Sequence, residues 1–258
     1  MSHFNVQLEV FQSFLFLLTR CSGIFIFTPF LGSLNVPVPV RIVLSFILSY
    51  LLALTTPASP YAALELDSVF TSLVGELVLG MAIGFAAFVI FAGLQYAGQI
   101  VGFQMGLSLV NAIDPQTSNR SSVLAMFQNY LGLMLFLGFN GHHWFLQAIA
   151  QSTSLLPVQT IHLKERVIVA LAQMVGQLFI IGFQVAAPVL ATLLLTDLVL
   201  AIIGRSAPQI HILVIGFPMK ALVGLSSLGL ALYFFPLAMR GFSFHLYRDI
   251  NHLLLLFR

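Results

Sequence analysis

From Val69 to Val110 the chain runs for 42 residues with one charged side chain, Glu76. A helix of that length extends roughly 63 Å, about twice the hydrocarbon core of a bilayer. It reads either as two membrane spans or as one helix that continues past the lipid inside an assembly. The composition points the same way. Hydrophobic residues make up 59% of the chain and charged residues 7%, where a soluble domain carries roughly 25% charged residues. So little polar surface cannot cover a water-soluble body, and the solvent must be lipid, other protein, or both. Lipid forces backbone groups to pair within their own segment, so the expected fold class is all-α: a multi-span membrane protein of long, kinked hydrophobic helices.

The other apolar runs are Val10 to Phe30, interrupted by Arg20, and Val38 to Thr55. Val123 to Phe139 ends at Asn140-Gly141-His142-His143, and a shorter segment reaches Leu156 before a turn at Pro157. Val167 to Gly204 is too long for one span, and Pro188 within it is expected to break or kink the helix. Leu213 to Phe235 is the last long run, with Pro218 and Pro236 near its ends. The tail from Gly241 to Arg258 mixes apolar and basic residues and is expected to lie at an interface. Lys164, Arg166, Arg240, Arg248 and Arg258 favour a cytoplasmic C-terminus, which puts Arg41, Arg120 and Arg205 nearer the other side. The start lacks the cationic region of a signal peptide, and its apolar run passes any plausible cleavage site. Gly102-Phe103-Gln104 and Gly182-Phe183-Gln184 echo each other, but three shared residues in a chain rich in Gly and Phe carry no weight.

Arg20, Glu76, Asp197 and Lys220 fall inside apolar runs. A charge at the centre of a bilayer costs about 2.5–3.5 kcal/mol on insertion scales. Each must therefore face protein, water or an opposite charge. One reading is a polar conduit or proton relay. The other is pairing with a neighbouring helix or subunit, such as Arg20 with Glu76 or Asp197 with Lys220. A relay needs several acids in sequence and this chain has few, so the second is preferred. Arg205 joins them as a candidate for subunit packing. It lies in the break Gly204-Arg205-Ser206-Ala207-Pro208-Gln209-Ile210, which reads as a tight reversal or as a contact surface for partner subunits.

Nothing in the sequence supports an enzyme. His142 and His143 are adjacent, so on a helix they point about 100° apart, and no Cys or carboxylate stands near them to complete a metal site. A hydrogen-bonding role at a helix end fits them better, with Trp144 as an interfacial anchor. Cys21, in an apolar run, is a small packing residue. Gly216-Phe217-Pro218-Met219-Lys220 does not match a phosphate-binding loop. No cofactor site and no basic cluster for nucleic acid is present in the pattern.

The most unusual stretch is Gly102 to Ser122, which begins apolar and Gly-rich and turns polar around Asp114-Pro115. Pro115 disfavours helical geometry at Asp114. Gly102 and Gly106 are spaced i, i+4, which lets another backbone come close. Irregular backbone beside membrane helices survives only when buried in protein or lining water. On the residues alone an ordinary extramembrane loop is slightly favoured.

Several strings together resemble the FliR family of flagellar type III protein-export gate proteins. They are Arg20-Cys21-Ser22-Gly23 with Pro29, then Pro39-Val40-Arg41. Gly98-Gln99-Ile100-Val101-Gly102-Phe103-Gln104-Met105-Gly106-Leu107-Ser108 follows, with Asp114-Pro115. Asn140-Gly141-His142 and the break from Gly204 to Ile210 complete the set. The likeness covers about residues 10 to 240, and the central string is its most specific part. Gln104-Met105-Gly106 and Asn140-Gly141-His142 look flagellar rather than injectisome-like. His211 departs from the Asn often found in the family after the Pro-Gln pair.

The resemblance implies a FliP-like half, about residues 1 to 160, fused to a FliQ-like half, about 161 to 240, with an amphipathic tail at 241 to 258. It implies assembly with FliP and FliQ in a helical gate complex of the bacterial inner membrane and flagellar basal body. FlhB would attach to that complex, FlhA and a cytoplasmic ATPase would work upstream, and unfolded flagellar proteins would pass through it. It also implies a pore plug formed by Gly106-Leu107-Ser108-Leu109-Val110-Asn111-Ala112-Ile113-Asp114-Pro115-Gln116-Thr117-Ser118-Asn119-Arg120-Ser121-Ser122. The competing readings are an injectisome-type gate subunit, a secondary transporter of a small solute, since broken helices also mark those, and a membrane enzyme.

Overall fold

The computed structural model describes residues 2–29, 36–55, 66–107, 122–158, 161, 165–207, 209 and 212–257. Among them the chain is helical throughout, without a strand. The helices are α1 (Ser2–Phe27), α2 (Val38–Thr55), α3 (Leu66–Gln104), α4 (Val123–Gly138), α5 (Gly141–Leu155), α6 (Glu165–Ser206) and α7 (Ile212–Phe257). Four of them are long and apolar enough to cross a membrane, and the count is five if α4 and α5 together form one bent span.

The long apolar run from Val69 is a single helix. α3 has 39 residues, α6 has 42 and α7 has 46, so each extends about 58–69 Å, close to twice the bilayer core. α6 continues through Pro188, and α7 continues through both Pro218 and Pro236. Residues 241–257 are therefore the last turns of α7. One stripe of those turns, Leu246, Ile250, Leu253 and Phe257, is buried. That stripe keeps the helical period.

The chain divides into two compact units. The first comprises residues 1–89, 140–175 and 243–258. In it α1 packs on α2, with Phe14 and Phe46 edge to face at 5.0 Å. α2 is inverted relative to a soluble helix. It buries Ser45, Ser49 and Leu52 and exposes Ile42, Val43, Phe46, Tyr50, Leu51 and Leu54. The buried hydroxyls are satisfied within the helix, Ser45 by the Arg41 carbonyl at 2.8 Å and Ser49 by that of Phe46 at 2.9 Å. An apolar outer face is stable only against lipid or another protein.

The second unit comprises residues 90–139 and 176–242. Its core holds Ala97, Val101 and Met105 of α3, Leu124 of α4, Ala186, Val189 and Leu193 of α6, and Leu228 of α7. Tyr96 is edge-on to Phe179 and Phe183, and Phe91 to Phe136. α3 is the most enclosed span, with 67% of its apolar window buried against 22% for both α6 and α7.

Candidate functional site

Two groups of polar residues stand inside this apolar framework. The first surrounds Arg20. Its Nε donates to Glu76 Oε2 at 2.6 Å, Nη1 to Ser152 Oγ at 3.2 Å and Nη2 to the Leu156 carbonyl at 3.1 Å. Both charged side chains are fully buried. The guanidinium fork thus ties α1 to α3 and to the C-terminal end of α5.

Glycines set the distance. Glu76, Gly80 and Gly84 form one i, i+4, i+8 stripe of α3. A Cβ on Gly80 would land on the carbonyl of Arg20, and one on Gly84 on the carbonyl of Ile24. The backbones of α1 and α3 therefore touch, as small residues at this spacing allow. That closeness delivers Arg20 to Glu76 with no room for water between the helices.

The second group stands at the end of α3. Asp197 accepts from Gln104 Nε2 at 2.8 Å and is in contact with Lys220 Nζ. Side-chain exposures of 34% for Asp197 and 24% for Lys220 make this pair wetter and weaker than the first. The pair joins α6 to α7, and Gly216 stands over Leu200 one turn further on. The two helices thus form an antiparallel hairpin within this unit. Arg205 is exposed in the last turn of α6, where a cation suits the helix dipole. The chain itself does not bury it.

Each residue of Gln104-Met105-Gly106 has its own task. Gln104 binds Asp197, and Met105 is buried against Gly224. Gly106 ends the helix in the left-handed conformation, φ 79°. Leu107 N–H donates to the Gly102 carbonyl at 3.0 Å and Gly106 N–H to that of Phe103 at 2.9 Å. These two bonds make a Schellman cap. Ser122 Oγ caps the start of α4, accepting from Leu124 N–H at 3.3 Å. The Ser122 side chain also lies against Gly102. The loop thus leaves and returns at one place, with a helix cap at each end. Gly106, Leu107 and Ser122 are its described residues, and Ser108 to Ser121 lie outside them.

At Asn140-Gly141-His142, Asn140 takes φ 58°, and its carbonyl accepts from His143 N–H at 2.9 Å as α5 begins. The two imidazoles lie 4.3 Å apart, centre to centre. Among the described residues no group of three His, Cys, Asp or Glu could hold a metal ion. Ser152, the Leu156 carbonyl and Gln104 are partners the sequence did not reveal. They lie 132, 136 and 93 residues from the charges they bind, and neutral groups give no signal at that distance.

The family model for bacterial export proteins, family 1, matches residues 11–245. The chain is 34% identical over 223 residues to the flagellar biosynthetic protein FliR of Bacillus subtilis, covering 85% of each chain. It is 33% identical over 226 residues to FliR of Escherichia coli, covering 88% of this chain and 85% of the relative. FliR of Pectobacterium carotovorum is 34% identical over 206 residues, covering 78% of this chain and 77% of the relative.

Proposed function

The chain belongs to the bacterial export proteins, family 1, as a FliR-family member, and from that premise we propose that it is a structural, pore-forming subunit of the flagellar type III export gate. The observation that carries this reading is the length of α3, α6 and α7 combined with the apolar surface that α6 and α7 expose. A bilayer covers about half of such a helix. The rest needs companion protein, and the resemblance names FliP and FliQ as those companions, with FlhB and FlhA beside them. The site is then the bacterial inner membrane within the flagellar basal body, and the cargo is unfolded flagellar protein. The role is structural rather than enzymatic.

In this reading the FliQ-like part is the segment from about residue 161 to 240, and the α6–α7 hairpin supports it. The part up to about residue 160 is FliP-like. The segment Gly106 to Ser122 is the plug. Its support is the pair of caps, which end α3 at Gly106 and begin α4 at Ser122. A closed pore must block ions yet admit a chain, and a loop on fixed ends can be displaced without unfolding α3 or α4.

The test replaces residues 108–121 with a short Gly-Ser linker and keeps Gly106, Leu107 and Ser122. Assembly is retained and the membrane becomes leaky to ions. Unchanged conductance in an assembled complex would overturn the plug.

A further inference from the structure

The helices α2, α4, α6 and α7 turn large apolar side chains outward, but α5 turns out a polar stripe. His143, Gln147, Ala150 and Ser154 are exposed along one side of it, at the i, i+4, i+7, i+11 spacing that puts them on a single helical face. Phe145, Ala148, Ile149 and Ser152 are buried on its other side. α5 carries no Lys, Arg, Asp or Glu. Among the described residues the Gln147 amide has no hydrogen-bond partner.

Depth makes that polarity informative. α5 has 15 residues and extends about 22 Å, too short to cross a hydrocarbon core by itself. Its C-terminal end is bonded to Arg20 through Ser152 Oγ at 3.2 Å and the Leu156 carbonyl at 3.1 Å. Arg20 lies well inside the apolar stretch Phe11–Phe27 of α1. The last turns of α5 therefore stand level with the interior of that stretch. Gln151 adds a second anchor, donating from Nε2 to the Tyr247 hydroxyl at 3.2 Å. Neither anchor uses His143, Gln147 or Ala150. At such depth a polar face survives only against protein or a water-filled cavity.

We propose, resting on the gate reading above, that this face of α5 lines the export conduit and that its occupant is the unfolded polypeptide in transit. An unfolded chain brings backbone N–H and C=O groups that all need partners. The Gln147 amide offers both a donor and an acceptor, and a face without fixed charge accepts any sequence. The apolar face of a companion helix is the poorer occupant, since it would bury that amide without a partner.

The test uses the full chain co-expressed with FliP and FliQ. An unfolded flagellar export protein, fused to a tightly folding domain and carrying cysteines along its length, is stalled in transit. Gln147→Cys and Ala150→Cys are introduced separately, and disulfides are formed with copper phenanthroline in air. The wild type, whose one cysteine, Cys21, is buried, sets the baseline together with Leu230→Cys on the apolar face of α7. Both α5 variants crosslink to the stalled chain about tenfold above that baseline, because a confined chain holds its thiols at high effective concentration. Crosslinks of the stalled chain to FliP or FliQ report separately that the gate holds it. With that signal present, baseline crosslinking at both α5 positions overturns the assignment of this face and leaves the gate reading standing. So does a crosslink from both positions to FliP or FliQ in place of the stalled chain, since a companion then covers the face. A stalled chain that crosslinks to none of the three subunits overturns the gate reading and this inference together.

Discussion

Arg20 Nε stands 2.6 Å from Glu76 Oε2 with both side chains fully buried, across 56 residues of sequence. Ser152 and the Leu156 carbonyl take two more of the guanidinium donors. Desolvating two ions is costly, and the pair persists because its geometry is good and both other guanidinium nitrogens are bonded. Removing one partner leaves the other charge buried without its counter-ion. Arg20→Leu or Glu76→Leu is expected to cost about 3–5 kcal/mol, read as a lower unfolding midpoint in detergent and a lower yield of complex. The double change Arg20→Met with Glu76→Leu recovers a large part of the loss. Normal midpoints in both single variants would show that the pair does not hold α1 to α3.

Gly84→Leu tests the close approach two turns along α3 from Glu76. Its side chain has to displace the carbonyl of Ile24, and overpacking of this kind costs about 1–3 kcal/mol. The same readout applies, with Gly229→Leu as the control, since a Cβ there meets nothing within 4 Å. Equal midpoints for the two variants would contradict helix contact at Gly84.

Lys220→Met removes the cation from Asp197 but leaves Gln104 bound to it. The pair is a quarter to a third exposed, so the loss is expected to stay near or below about 1 kcal/mol. A loss equal to that of Arg20→Leu would mean that this pair is dry in the assembly.

Asn140 holds a left-handed conformation at the entry to α5. Asn140→Gly is expected to be nearly neutral, and Asn140→Val to cost about 1–2 kcal/mol. Thermal unfolding of the two variants separates backbone strain from loss of the amide. If Gly and Val cost the same, the side chain matters and the backbone conformation does not.

The parts of this fold that follow from apolar length were legible in the sequence. The span Val38 to Thr55 coincides with α2, and the demand that Arg20, Glu76, Asp197 and Lys220 each find a partner follows from the cost of a bare charge in an apolar medium. Continuity was harder to read. Proline removes one helical bond and strains its neighbourhood, yet α7 runs through Pro218 and Pro236. The spacing of Gly102 and Gly106 suggested one shared contact, but Gly102 meets Ser122 while Gly106 supplies a left-handed cap. Sequence spacing cannot distinguish those two uses of glycine. Arg205, in the break that reads as a tight reversal or a contact surface, is exposed because α6 ends one residue beyond it.

The outer apolar faces of α6 and α7 are expected to meet other polypeptides as well as lipid. The most direct measurement is the mass of the detergent-solubilised particle that carries this chain when it is co-expressed with FliP and FliQ. A stable particle of several times the chain's own 28.3 kDa, containing both companions, is the expected result. A folded particle of 28.3 kDa, with neither companion bound, would contradict it.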